Sequence, residues 1–428
     1  SHKNITLLGD KSVGIYNYGI NQMYATNLGI NCVNITNGGK IELGNSSSIS
    51  NPSIGIYSKY GNIENQGIIT GGVNTLGILS ETPYAVNMTN GGTITLGNGG
   101  IAIYKKQGTL NLDNNSNITV GNSAIAVYGD DNVTINNNSA NINVGDTSFG
   151  FVLLGTGTNN YISSSNSIFN MGTGSVYIYK EGAGTVDTYT TVNSLGSQNA
   201  AIYATGSGTT INNYGNINFT SGVGNVGVYS DNGAIANNYG NITVAGSDVD
   251  NDLYSIGMAT IGGTIKNYNT INVTGDYGLG MFAQGVGSYA ENNGTINITG
   301  SAKNGYGMYL DAGAKGVNNG IIRANGTGSE AIGIAVLDRS EFTNNGIVDI
   351  NLANSTGVYV RNAIIKNYGT INIAGTGSVG VKSSSGIYED PSGNQSAISA
   401  SNLTGVNASG GALDLTIESA FDPSASKG

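Results

Sequence analysis

The chain has 428 residues, with 69 Gly, 25 Tyr, 4 Pro and no Trp, and a formal net charge of −10 from 26 acidic and 16 basic residues. A single histidine, His2, at the extreme terminus excludes Ser-His-Asp and Cys-His nucleophile systems and the usual His-based zinc sites, and a single cysteine, Cys32, excludes an internal disulfide. No run of Lys and Arg exists, which argues against nucleic acid as a partner because phosphate neutralisation needs clustered basic residues.

Residues 1–36 are only partly periodic. From there a unit built on Asn-x-Gly recurs about every 25 residues, the mark of an array that grows by addition rather than by enlarging one core. Twelve units are found, with their marks at Gly39, Gly67, Gly92, Ser116, Ala140, Gly215, Gly240, Asn269, Gly294, Gly320, Gly346 and Gly369. Two residues before each mark stands an Asn: Asn37, Asn65, Asn90, Asn114, Asn138, Asn213, Asn238, Asn267, Asn292, Asn318, Asn344 and Asn367. Two residues after it stands Ile, or Val348, and four after it mostly another apolar residue.

That spacing is a strand with one buried face, entered through a corner where Gly or Asn takes a positive φ at little cost. A short strand precedes the corner, as in Ile364-Ile365. A third is the Gly-apolar-Tyr segment, as in Gly227-Val228-Tyr229 and Gly357-Val358-Tyr359. Three short strands per repeat and no helical stretch predict an all-β, single-chain, right-handed parallel β-helix, with about 17 coils and roughly 80 Å of rod. The recurring Asn is expected to stack on its copies as an amide ladder.

Coils are expected over 1–382. Residues 155–196 lose Asn-x-Gly and are read as irregular coils carrying a loop insertion. Residues 383–396 read as a second loop, and 397–428 as a terminal coil or cap. No apolar run reaches the length of a membrane span. The chain begins without Met or a signal peptide and is expected to be a processed piece of a longer protein.

The tandem "NNGTINI", "NYGTINI" and "NNGIVDI" units, alternating with "GVYV", "GVYS" and "GMYL", resemble the passenger region of the autotransporter (type V) adhesins of Gram-negative bacteria over roughly residues 37–382. The resemblance implies a secreted cell-surface protein joined to the outer membrane through a C-terminal barrel beyond this stretch. It implies partners on host cells or other bacteria, protein or glycan, and agrees with the near-absence of Cys. It carries over no catalytic motif and no cofactor, and we expect a monomer.

Function must lie in what the repeat leaves variable. The residue before each mark is expected at the outer tip of the corner, and it is Tyr in Tyr214, Tyr239 and Tyr268 on successive coils. An exposed aromatic strip suits a sugar or protein partner, so these three are the candidate ligand-binding residues; the plainer reading is a stack that packs only on itself. A second tyrosine file, from Tyr16 and Tyr57 to Tyr359, is expected to face outward and to serve structure.

Asp248, Asp250 and Asp252 alternate like the start of a calcium loop, but Leu253 and Ala259 stand where Gly and Glu would be needed. They read as a solvated insertion, and no metal site is expected. Asp311, Asp338, Arg339 and Arg361 follow the Gly-apolar-Tyr strand on successive coils; the plain reading is alternating surface charge. The favoured function is a non-catalytic adhesin rod. The alternatives are a β-helix polysaccharide lyase or hydrolase, and a passive spacer.

Overall fold

In the computed structural model the described residues are 4–18, 35–81, 86–88 and 92–418. His2, Cys32, Asn90 and Gly91 lie outside them. Apart from one 3-10 turn, Val249–Asn251, the regular elements are strands. The chain divides into two compact units, Ser1–Ile217 and Asn218–Gly428. Within each, every coil gives one strand to each of three sheets, here called A, B and C, and strands pair with their counterparts one coil away. In the first unit, for example, Thr93–Leu96 of sheet A pairs in parallel with Asn117–Val120, and Ile101–Lys105 of sheet B with Ile125–Asp130. In the second, Thr270–Val273 of sheet A pairs with Thr295–Ile298, and Thr264–Asn267 of sheet C with Tyr289–Asn292. The fold is the expected all-β parallel solenoid with about 25 residues per coil.

The reason is visible in each strand. In Thr370–Ala374 the two Ile point inward and are 1% exposed while Thr370 and Asn372 face out. No coil can bury its apolar face alone; stacking does it. Sheets A and B come close together at a glycine before the inward apolar residue of sheet B. A Cβ on Gly357 would lie 2.5 Å from the Gly380 carbonyl oxygen and 2.7 Å from Ile371 Cγ2. We expect Gly357→Val to lower the stability of its unit by about 2 kcal/mol or more through overpacking, read by urea denaturation.

The amide ladder exists. In the second unit each Nδ2 donates to the Oδ1 one coil on, through Asn238, Asn267, Asn292, Asn318, Asn344 and Asn367, at 2.8–2.9 Å. In the first unit Asn37 donates to Asn65 at 2.8 Å. Two expected members fail. Asn114 and Asn138 are exposed, and the ladder register there holds Leu112 and Asn137. Longer corners between those strands and Ser116 or Ala140 put the Asn of the motif outside the stack.

Residues 155–196, expected to be irregular with an insertion, carry the strands Asn160–Ser163, Ile168–Met171, Val176–Glu181, Gly184–Thr188 and Thr191–Ser194, with parallel partners in all three sheets. The ladder register there holds Ser163 and Thr188 in place of Asn. The reason is Tyr177. It occupies the Gly position of sheet B and sends its ring into the core, fully buried beside Tyr161, Phe151 and Phe169. Its hydroxyl donates to Thr190 Oγ1 at 2.7 Å and meets Tyr161 Oη at 2.6 Å; Asn137 Nδ2 donates to Tyr161 Oη at 3.0 Å, and Thr190 Oγ1 to Ser163 Oγ at 2.8 Å. Small hydroxyl residues replace the amides because the ring needs their room and its hydroxyl needs their oxygens.

Residues 383–396 are the end of a strand followed by a hairpin, Ile387–Glu389 antiparallel to Gln395–Ala397. Asp390 closes the turn by accepting from the backbone N–H of Ser392 and Asn394. Val406–Ser409 and Leu413–Ile417 then pair in parallel with Thr370–Ala374 and Val379–Ser384 as a last coil.

Two lysines lie inside the first unit. Lys105 donates to Ser80 Oγ at 3.1 Å, and Lys180 donates to the carbonyls of Glu181, Gly182 and Ala183. Burial pulls Lys105 down to about 7 and Lys180 to about 8, from an ordinary value of 10.5. Unfolding restores the ordinary value, so between about pH 7 and 10 the unfolded chain binds more protons and stability rises with pH. We expect the melting temperature to climb across that window, and Lys105→Met to raise it at neutral pH and flatten the climb. Above pH 10 the buried tyrosines act oppositely: burial raises Tyr161 and Tyr177, so ionisation favours the unfolded chain.

Candidate functional site

The candidate residues stand at the outer tips of the corners between sheets C and A. Each tip residue follows the ladder position; the N–H of Tyr214 donates to the Thr188 carbonyl of the preceding coil at 2.7 Å, and that of Tyr268 to the Asn238 carbonyl at 2.8 Å. The ladder thus fixes the corner, and the corner fixes the ring. Tyr214, Tyr239 and Tyr268 are exposed, each at 38–39%.

The three expected tyrosines fall in different units. In the second, Tyr239 and Tyr268 stack with ring centroids 4.8 Å apart and planes 8° from parallel. In the first, Tyr214 stacks on Tyr189 at 4.6 Å and 11°. Tyr189 was missed by sequence reasoning because its corner reads Thr188-Tyr189-Thr190 rather than Asn-Tyr-Gly. The order of parts was still there: a buried hydroxyl residue, Tyr, a small residue, then Val192 two places on. Its backbone N–H donates to Ser163 Oγ at 2.9 Å, so the buried Tyr177 network also positions this tip. After Tyr268 the tips become Asn293, Asn319 and Asn345, which form an exposed amide ladder of their own at 2.8–2.9 Å.

The second tyrosine file faces outward as expected, yet most of its rings are half-buried because they stack on each other. Tyr16 lies 5.0 Å from Tyr57 and Tyr179 lies 5.2 Å from Tyr203. Burial raises the hydroxyls of Tyr104 and Tyr309 above their ordinary value, Tyr309 to about 12, with Asp130 and Asp311 adding to it.

Of the charged candidates, Asp338 and Arg361 pair with each other. Arg361 Nη2 donates to Asp338 at 2.8 Å, and Lys266 pairs with Glu291 at 3.0 Å across directly paired strands. Asp311 accepts from the backbone N–H of Ala312. Asp248, Asp250 and Asp252 sit on a short arm closed by backbone bonds between Asp248 and Leu253 and by Asn251 Nδ2 donating to Asp248. Among the described residues no three acidic, His or Cys side chains gather into a metal-binding group, and no helix is long and apolar enough to cross a membrane, which says nothing of a β-barrel.

Residues 84–321, more than half of the chain, match the family model of the BigA third pectate lyase-like domain. The chain belongs to this family. No curated protein matches it. The BigA-type stretch contains all four stacked tip tyrosines, Tyr189, Tyr214, Tyr239 and Tyr268, while Asp338 and Arg361 lie beyond it. The family's name describes a pectate lyase-like fold, in keeping with the parallel solenoid.

Proposed function

We propose that this chain is the extracellular, β-helical part of a bacterial surface adhesin of the autotransporter-passenger type, holding a binding surface away from the cell without catalysis. The observation that carries the reading is the pair of stacked, exposed tyrosines in each unit, set at corner tips where the backbone N–H groups of Tyr189, Tyr214 and Tyr268 are hydrogen-bonded to the preceding coil. A ring fixed before binding loses little conformational entropy on contact, and aromatic side chains dominate binding energetics where they reach a partner. Repetition along the solenoid makes engagement multivalent. The pairing of Asp338 with Arg361 and of Lys266 with Glu291 supports a non-catalytic surface.

The test is adhesion of the chain, displayed on bacteria or on beads, to host cells and to other bacteria. Tyr239→Ala with Tyr268→Ala is expected to weaken attachment about tenfold or more, while changing stability by about 1 kcal/mol. Unchanged attachment would rule out the tips as the binding surface. No attachment by the unaltered chain would leave the spacer reading in its place. Release of unsaturated or reducing ends from an anionic polysaccharide would make it an enzyme.

A further inference from the structure

We infer that the outer face of sheet B in the second unit holds a second site, a groove shaped for a neutral saccharide. It deepens the adhesin reading and rests on it for its biological setting. The groove encloses about 450 Å³ and is lined mainly by Tyr254, Tyr277, Phe282, Tyr306 and Tyr309, with Gln284 and Asp311 at one end. That volume, and a mostly apolar wall with a few convergent polar groups, is what small-molecule sites have.

Two features build it at a cost to the repeat. The first is an insertion. Eleven residues separate Val244 from Ile256, where five separate Val273 from Leu279 on the next coil. The extra residues form the arm closed at Asp248 and Leu253, and the arm brings Val249 and Tyr254 to the groove wall. The second is a strained corner. Tyr277 has φ +56°, and it is the one aromatic among the described non-glycine residues of positive φ. The same corner is left-handed on other coils too, where it holds Asn74, Ser123, Thr147, Gln198, Asn304, Glu330 and Asn354, at φ 50–61°. What is unusual at Tyr277 is the aromatic: a ring in a left-handed corner is disfavoured relative to Asn, and here it is kept where it lines the groove.

The chemistry selects the ligand. Phe282 and Tyr309 stack rung on rung, 5.7 Å apart and 27° from parallel, so they turn edges outward. Tyr306 stands at 74° to Tyr309 and offers a platform. One platform beside an amide and a carboxylate fits a ring with an apolar face and hydroxyl edges. Asp311 accepts hydroxyl donors; its Oδ2 already lies 3.5 Å from Gln284 Nε2. No Lys or Arg lines the groove, Arg361, which acts on Tyr309 from nearby, is paired with Asp338, and the arm carries Asp248, Asp250 and Asp252, so uronates and sialylated chains are disfavoured.

The test is titration of the purified chain with neutral oligosaccharides built on glucose, galactose and mannose, beside sialylated and uronate oligosaccharides and tetramethylammonium. Binding of a neutral member is expected, about tenfold weaker with Tyr254→Ala and equally weakened by Tyr277→Asn. The second variant is expected to melt no lower than the unaltered chain, because Asn suits the corner; a purely structural Tyr277 would melt lower. Neutral binding unaffected by both variants, binding of the anionic members or of tetramethylammonium alone, or no binding would each overturn the groove. Titration needs no cells, so an adhesion failure leaves it standing, and adhesion that survives the groove variants leaves the tips in place.

Discussion

Replacing Tyr177 with Ala is expected to cost the first unit about 3–5 kcal/mol, the range for emptying a fully buried aromatic site. Tyr177 is 0% exposed, so every ring atom lost leaves a void between Phe151, Phe169 and Tyr161. The polar loss adds to it. Thr190 Oγ1 loses its donor and Tyr161 Oη its closest oxygen, while each keeps one bond, to Ser163 and from Asn137, and each buried hydrogen bond lost costs about 1 kcal/mol. Tyr177→Phe isolates the second effect and is expected to cost about 1–2 kcal/mol. Urea denaturation gives the totals. Hydrogen exchange should place the loss in Asn160–Ser163, Val176–Glu181 and Thr191–Ser194. Because Ser163 also holds the Tyr189 backbone, the Ala variant should loosen the Tyr189–Tyr214 stack, read as faster exchange at Tyr189 N–H.

The same network shows how far the sequence was legible. Where one motif served every coil, as in Asn238 to Asn367, period and chemistry gave the sheet, the inward face, the ladder and the outward tyrosine together. Legibility failed where two positions changed at once. Tyr177 in a Gly slot and Thr188 in an Asn slot each look like lost signal, yet they compensate for one another through space, eleven residues apart in the chain. The spacing left room for coils there, but a search for Asn-x-Gly could find neither their register nor Tyr189 upon them. Asn114 and Asn138 failed in the other direction: the motif was present, but longer corners moved it off the stack. The groove was legible only as fragments. The inserted arm was recognised from its acidic residues, while Tyr254 and Tyr277 meet only because the solenoid sets successive coils side by side.

Asn318→Ala is expected to cost the second unit about 2–4 kcal/mol, far more than the neighbouring Asn319→Ala. Asn318 is 0% exposed. Its Oδ1 accepts from Asn292 Nδ2 at 2.8 Å and its Nδ2 donates to Asn344 Oδ1 at 2.9 Å. Removing the amide leaves Asn344 Oδ1 without its ladder donor, and a buried polar atom left unmade costs more than the bond itself contributed. It also divides the run from Asn238 to Asn367 in two, and chained amides polarise one another. Asn319 forms bonds of the same length to Asn293 and Asn345, but on the exposed tip, where water replaces them; its loss should stay within about 0.5 kcal/mol. Burial alone separates two adjacent residues of one type with matching partners. Equal losses would mean that the ladder contributes only as surface hydrogen bonds do, and that the apolar faces of sheets A, B and C alone hold the coils in register.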